Sequence, residues 1–453
     1  LSLILAPRPL AGSLALAAAR RASAAGDPTA AAEAFAYAAR RLPWEARLYG
    51  WTGQAFLQAG SPQAAVQWFA RGEARQALTH TDWLVYADAL VTLGDDPAAA
   101  RAWEQSMLLF GPSFQASRGL ALLSRRAGDL PGAIAHLQQA LLLSPGEAEA
   151  HYQLGLLWTA TAPENAPLEL LLALDMDESR QAAVEWLRAE IRYALSVDDR
   201  AFQFTVCGRA LAALGEWDLA AEAFSRGIQA DETYAEAWAW LGEARQQRSL
   251  DGRTQLDQAL ALDAGSASVQ ALDGMYWLRQ GDFERALAAF SLAAAFEPGN
   301  PAWQVALGDA AAAGGDLLAA SIHYLHAVEL GPEDAAAWRA LALFSLDNDT
   351  DVENSAFAAA RHLLLLAPDD WLTHDIVGRT ATILRFRVEA EEQLLRAIEI
   401  APLEPAPHLH LALTYLEFGE EALAYDKLVD TLALDPGGQY GWLAQRILET
   451  YFP

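Results

Sequence analysis

The sequence predicts an all-α chain of stacked helix pairs, and three recurring features predict it. Prolines return at a near-constant interval, glycine–acid pairs return between them, and a small residue is followed four positions later by a large apolar one. Self-similarity at a period of about 34 residues marks a repeat architecture.

The prolines set the period. Pro298, Pro332, Pro368, Pro402 and Pro436 are 34, 36, 34 and 34 residues apart, and each closes an apolar run (AAAFEP, AVELGP, LLLLAP, AIEIAP, TLALDP). Proline has no N–H to give the preceding helical turn, so it stops one helix and opens the next. A glycine followed by Asp or Glu marks the turn inside the period, as at Gly26-Asp27, Gly94-Asp95, Gly128-Asp129, Gly215-Glu216, Gly281-Asp282 and Gly419-Glu420. Glycine suits the left-handed end of a helix, and the acid is expected to cap the helix that follows. Pro28 and Pro97 then fall in the first helical turn, where proline is tolerated.

Small residues recur where two helices must approach closely. Gly53, Gly155, Gly208, Gly242, Gly274, Gly308 and Gly378 fall on the first helix of each period. Ala31, Ala65, Ala99, Ala133, Ala220, Ala286, Ala320, Ala390 and Ala424 fall on the second. Four positions after those alanines stand Phe35, Phe69, Trp103, Leu137, Phe224, Phe290, Tyr324, Leu394 and Leu428, so each helix presents a small hole beside a large knob on one face.

These features resemble the tetratricopeptide-repeat family, whose pattern runs W-x₂-L-G-x₂-Y, then A-x₃-F, then P. Trp238-x-x-Leu241-Gly242 and Trp338-x-x-Leu341-Ala342 match its opening; Ala286-x₃-Phe290 with Pro298, and Ala31-x₃-Phe35 with Pro43, match its close. About twelve repeats can be laid along the chain. The resemblance implies a right-handed superhelical solenoid of antiparallel helix pairs, with first helices lining a concave groove.

Three places break the register. The fifth repeat opens regularly at His151-x-x-Leu154-Gly155, but its second helix carries Pro163 and Pro167; the seventh is about two residues short around Asp251-Gly252, and the tenth about two residues long in LDNDTDVEN. The expected organisation is an N-terminal array of about five repeats over 8–175, the last irregular. A non-repeat helical insert follows over 176–200, with its helix around 178–196. A C-terminal array of about seven repeats covers 201–436, and a closing helix 437–453 covers the last apolar face.

Composition narrows the function classes. The chain has 453 residues, with 31 basic against 59 acidic side chains, a net charge of −28. Such a field repels nucleic-acid phosphates, so no nucleic-acid partner is expected. The only lysine is Lys427, and the Ala/Leu/Arg-rich bias points to a bacterial genome. Leu1 stands where Met would begin a translated chain, which leads to the expectation of a processed or missing N-terminus. Leu1–Ala6 is read in two ways, as the tail of a signal or anchor helix or as the start of an ordinary first helix. No other stretch reads as long enough to cross a bilayer; Leu168–Leu174 is too short.

Motifs for catalysis or cofactor binding do not occur. There is no G-x₄-G-K-[ST], no G-x-G-x-x-G after a strand, no H-E-x-x-H and no G-x-S-x-G. The one cysteine, Cys207, precedes Gly208 and reads as a buried thiol. His323-x-x-His326 and His408-x-His410 lack a third ligand at metal spacing, and His408 occupies a packing position of the repeat. Asp347, Asp349 and Asp351 alternate as oxygen ligands for Ca²⁺ would, but Val352 and Ala358 replace the glycine and glutamate of an EF-hand loop. A solvated acidic loop is the competing reading. The fifteen tryptophans are read as packing residues.

The resemblance carries candidate groove positions onto Gln54, Asp88, Arg118, Leu122, Arg125, Tyr152, Arg209, Glu243, Met275, Asp309, Arg339, Asp375, Arg379, Leu409, Leu413 and Leu416. Arg118, Arg125 and Arg126 form a basic spot, and Leu409, Leu413 and Leu416 an apolar strip. The lysine-based clamp with which some family members grip acidic chaperone tails is not recognisable here. The expectation is a non-catalytic scaffold that binds partner proteins through its groove or faces, with no cofactor. Two alternatives stand beside it: a regulatory or substrate-recruiting module of an enzyme such as a glycosyltransferase, and a self-assembling or Ca²⁺-responsive envelope protein. The apolar lead inclines the reading to a membrane-anchored, extracytoplasmic place in a bacterium, the cytoplasm being the alternative.

Overall fold

The computed structural model describes residues 7–452, so the apolar lead Leu1–Ala6 lies outside the described residues. The chain divides into two compact units, Leu1–Asp231 and Glu232–Pro453. The first contains α1 (Pro7–Ala24), α2 (Pro28–Arg41), α3 (Arg47–Gln58), α4 (Pro62–Glu73), α5 (His80–Thr92), α6 (Asp96–Phe110), α7 (Phe114–Arg126), α8 (Leu130–Leu143), α9 (Ala148–Thr161), α10 (Ala166–Met176), α11 (Gln181–Leu195), α12 (Arg200–Ala213) and α13 (Trp217–Ala230). The second contains α14 (Ala235–Gln247), α15 (Arg253–Leu262), α16 (Ala267–Arg279), α17 (Phe283–Phe296), α18 (Pro301–Ala313), α19 (Leu317–Leu330), α20 (Ala335–Asp347), α21 (Phe357–Leu366), α22 (Trp371–Ile383), α23 (Arg387–Ile400), α24 (Pro405–Glu417), α25 (Glu421–Leu434) and α26 (Gln439–Tyr451). No strand occurs among the described residues, and none of their helices is long and apolar enough to cross a membrane.

The helices pair within each period. Six pairs stack in each unit; α11 and α26 stand outside the pairing. Glycine at the inner turn is required by the backbone: Gly26 and Gly281 take φ of 74° and 73°. The acid after it behaves in two ways. Asp27, Asp95, Asp129 and Asp282 each accept a hydrogen bond from the backbone N–H three residues on, at 2.9–3.1 Å. Glu216 and Glu420, expected as caps, make no such bond. Their carboxylates, one methylene further out, pair instead with Arg125 and Arg387.

Each pair locks through a knob in a hole. A Cβ built on Gly53, Gly208, Gly274 or Gly308 would stand 2.5–2.8 Å from ring atoms of Phe69, Phe224, Phe290 or Tyr324, sixteen residues later on the partner helix. Phe69, Phe224 and Phe290 are completely or almost completely buried, each worth roughly 1.5–3 kcal/mol of transfer free energy. The exceptions follow chain length. Gly242 meets Leu256 after fourteen residues, because that repeat is short, and Gly252 passes so close to Gly242 that only glycine fits there. Trp103, larger than the usual knob, reaches the next first helix and leaves room only for Gly119 against its indole.

A second recurring bond fixes the turn between pairs. Near the start of eight first helices a side chain donates to the backbone carbonyl six residues earlier. Tyr49 reaches Pro43, His151 Pro145, Gln203 Val197, Trp238 Glu232, Gln270 Ala264, Trp338 Pro332, His374 Pro368 and His408 Pro402, at 2.7–3.3 Å. Carbonyls at a helix end otherwise lack an intrahelical partner. The recurring geometry accepts Tyr, His, Gln or Trp because only a reaching donor is needed. The tryptophans are therefore not uniformly interior: Trp83 is buried, Trp238 and Trp338 are half-buried donors, and Trp44 is exposed.

The extra residues of the tenth repeat are absorbed locally. Asp349 and Asp351 take left-handed φ of 49° and 47°, and Val352–Ala356 form a π-helical turn before α21. The irregular fifth repeat has a larger effect within the first unit. After α10 and α11 the chain turns so that α13 packs on α9, with Arg226 donating to the Thr161 carbonyl at 3.4 Å.

Two outcomes are expected from this packing. Gly208→Ala should destabilise by about 1–3 kcal/mol through overpacking, read as a lower urea midpoint, whereas Gly146→Ala, with nothing near the added methyl, should leave the midpoint unchanged. His374→Phe keeps an aromatic ring but removes the bonds to the Pro368 carbonyl and to Gln393, and should cost about 0.5–1.5 kcal/mol for each in the same assay.

Candidate partner-binding groove

First helices carry the groove positions, and the structure separates those that are open from those tied to a neighbour. Adjacent first helices are cross-linked by polar pairs. Gln54 donates to Asp82 at 2.8 Å and Gln115 to Asp88 at 2.8 Å. Arg279 holds Glu243 through two bonds at 2.5 and 2.7 Å. Arg339 reaches Asp370 at 2.7 Å and Arg379 reaches Asp347 at 2.6 Å. His410 pairs with Asp375 at 2.7 Å, and Thr382 with Thr414 at 2.7 Å.

Three sequence-predicted groove residues are corrected by this arrangement. Glu243 and Asp375 are 2% and 1% exposed, Glu243 enclosed beneath the Arg279 guanidinium and Asp375 beneath the His410 ring. Leu409 is 1% exposed and packs with Ala412, Leu428 and Ala444 in the last core cluster, so it is no part of a surface strip. Of that strip, Leu413 is exposed and Leu416 half-buried. Gln54 and Arg339 are half-buried and engaged as above, Tyr152 lies under the Arg180 guanidinium at 4.5 Å, and Arg209 and Met275 are exposed.

Three grooves collect the remaining positions. In the first unit a cavity of about 410 Å³ is bounded by α5, α7 and α9 with side chains of α6 and α8 behind them. Asp88, Arg118, Leu122 and Arg125 line it, together with Val91, Trp103, Gln115, Leu137, Glu149, Gln153 and Leu157. In the second unit, Asp309 and Arg339 line a groove of about 450 Å³, and Arg379, Leu413 and Leu416 line one of about 910 Å³. Tyr324 donates to Asp309 at 2.5 Å; desolvation raises the Asp309 carboxyl above the usual range, and the bond opposes that rise.

The first-unit cavity has an apolar floor and a charged lip. Leu122 is exposed between the two arginines of the same helix. Arg125 is committed: it donates to Gln153 at 2.5 Å and pairs with Glu216, which the turn after α11 has brought across from the start of α13. Arg118 has no carboxylate partner among the described residues and lies 5.9 Å over the Phe114 ring of its own helix. Asp88 is raised above the usual carboxyl range by desolvation, against the opposing pull of Gln115 and Arg118. Arg126, expected beside them, pairs with Asp96 at 3.4 Å and does not line the cavity. The pairing of Arg125 with Glu216 was not legible in the sequence, since 91 residues separate them.

Carboxylates of the candidate Ca²⁺ loop do not converge. Asp347 is held by Arg379, and Asp351 accepts bonds from Asn354 at 2.6 Å and Ser355 at 2.9 Å. Among the described residues no three His, Cys, Asp or Glu side chains are grouped to hold a metal ion. Cys207 is fully buried, and burial pushes its thiol up to about 12, away from nucleophilic chemistry at neutral pH.

The chain is similar to several solved structures at low sequence identity. The chain is 15% identical to a chain in the crystal structure of the APC/C hetero-tetramer Cut9-Hcn1, with 100% of this chain and 98% of that one covered and a TM-score of 0.42. It is 15% identical to yeast Tom70 over 96% and 95%, at a TM-score of 0.44. It is 19% identical to MamA of Desulfovibrio magneticus RS-1 over 38% of this chain and 97% of that one, at a TM-score of 0.34. No curated protein sequence matches the chain. The family described as tetratricopeptide repeat matches residues 16–77, 84–148, 243–301 and 273–333, in both units. With the period of about 34 residues and the helix pairs locked knob into hole, these matches identify the chain as a tetratricopeptide-repeat protein.

Proposed function

We propose that the protein is a non-catalytic scaffold whose first-unit cavity, between α5, α7 and α9, receives a segment of a partner protein. Tetratricopeptide-repeat proteins in general bind other proteins. The observation that carries the reading here is the composition of that cavity: an apolar floor of Val91, Leu122, Leu137 and Leu157 beneath a lip of Asp88, Arg118 and Glu149. An apolar side chain gains from burial on such a floor, and the polar lip fixes the direction of the backbone that carries it. Much of the groove polarity is consumed between neighbouring repeats, whereas Arg118 on the lip of this cavity has no carboxylate partner among the described residues. The −28 charge steers basic or neutral partners toward the molecule in preference to acidic ones.

Crosslinking with carboxylate-directed reagents, suited to a chain with a single lysine, should join Asp88 or Glu149 to one reproducible partner. Leu122→Asp should weaken that partner by at least about thirtyfold, the loss of a central contact worth about 2 kcal/mol. Leu142→Asp, on the outer face of α8, should not. Undiminished binding by Leu122→Asp, with circular dichroism unchanged, overturns the assignment of the cavity.

A further inference from the structure

One place in the second unit breaks the pattern of struts between first helices. Glu243 is the ninth of the thirteen residues of α14, and Arg279, the thirteenth and last of α16, covers it with two hydrogen bonds. Helices α18 and α20 are also thirteen residues long and present the same two positions. The ninth residue of α18 is Asp309, but the thirteenth of α20, where a cation would repeat the strut, is Asp347. That second acid is held by Arg379 of the next layer at 2.6 Å. Asp309 is therefore left exposed: the Tyr324 hydroxyl donates to it, and no cation among the described residues pairs with it. Arg339 lines the same groove but is committed to Asp370 at 2.7 Å.

We infer that the groove between α18 and α20 binds an arginine side chain of a partner protein, whose guanidinium takes beside Asp309 the place that Arg279 takes beside Glu243. Charge complementarity is the first reason. The chain itself supplies a guanidinium at the equivalent position two layers earlier and supplies a second acid here, while the −28 field draws cations to the molecule. Desolvation already holds the Asp309 carboxyl above its usual range, a cost that a neighbouring cation removes. Shape is the second reason. The groove encloses about 450 Å³, and Val305, Leu343 and Phe344 line it beside Asp309. Such walls take the methylenes of a long side chain while its charged head stays at the carboxylate. The Phe344 and Tyr324 rings, with centroids 4.8 Å apart, add aromatic surface of the kind on which a guanidinium packs. The inference concerns the second unit alone and does not rest on the cavity between α5, α7 and α9.

Calorimetric titration of the full chain with the acetylated and amidated peptide Ala-Leu-Arg-Leu-Ala tests it. The expected result is a Kd below about 1 mM, with binding at least about tenfold weaker for the peptide in which citrulline, similar in shape but uncharged, replaces arginine. Asp309→Asn keeps an acceptor for Tyr324 and removes the charge, and should weaken the arginine peptide by at least about tenfold. Glu329→Gln, exposed on α19, changes the net charge equally and should leave binding within about twofold, which separates the groove from general attraction to an acidic protein. Asp347→Arg supplies the guanidinium from within the chain, as Arg279 does, and should abolish binding with circular dichroism unchanged. Absence of binding by the arginine peptide overturns the inference, as does equal binding of the citrulline peptide or undiminished binding by Asp309→Asn. Displacement of the peptide by about 1 mM Ca²⁺ at constant ionic strength also overturns it and assigns Asp309 to a metal.

Discussion

The absence of a single carbon atom sets the spacing of this molecule. Where Gly53, Gly208, Gly274 and Gly308 lack a Cβ, the ring of the paired helix fills the space, and the approach of the two backbones is fixed by ring thickness. Everything in a pair then follows from one distance along the chain. The knob must come sixteen residues after the hole, so first helix, turn and second helix have fixed lengths. Capping aspartates and left-handed glycines are the local means of meeting that length. The side chain that reaches back six residues does the corresponding work at the outer turn, by holding the next first helix at a set angle to the one before it.

Polar chemistry in the groove is subordinate to the same stacking. A first helix presents its inner face to partners and also to the first helices on either side. Long side chains at those positions find each other before they find a ligand. Arg279 with Glu243 and His410 with Asp375 are therefore struts between repeats. Removing Arg279 alone leaves the buried Glu243 carboxylate uncompensated, which costs more than the pair itself contributes. The cavity between α5, α7 and α9 is crossed by the same kind of strut, Gln115 with Asp88 and Arg125 with Gln153, but Leu122 stays exposed and Arg118 has no carboxylate partner among the described residues.

The fold was legible in the sequence because it is written in spacings. Proline period, glycine–acid turn and the A-x₃-large pattern are short-range facts, and Gly208 opposite Phe224 or Gly378 opposite Leu394 follows from counting. The site was less legible, for a reason visible in Leu409, Glu243 and Asp375. Family position identifies which helix face a residue occupies; its accessibility depends on the size and charge of residues some thirty positions away. Leu409 is enclosed by Leu428 and Ala444, and Glu243 by Arg279. Glu216 illustrates the same limit at longer range. Its neighbours predict a cap, yet the turn made after α11 offers it Arg125, and a full charge outweighs a backbone N–H.

The π-helical turn at Val352–Ala356 bears on how such an array changes over generations. In a stack, an added residue is dangerous because every later layer inherits the rotation it introduces. Here the surplus is swallowed as a wide coil at the entrance to one helix, and the knobs downstream, Leu394 against Gly378 among them, still fall into place. The missing residues before Gly252 are taken up in the same contained way, by a close backbone crossing at Gly242. Length errors are thus quarantined within a single layer. A protein built in this manner can drift in loop length at one repeat while the surfaces presented by its neighbours keep their register, which gives each layer its own freedom to vary.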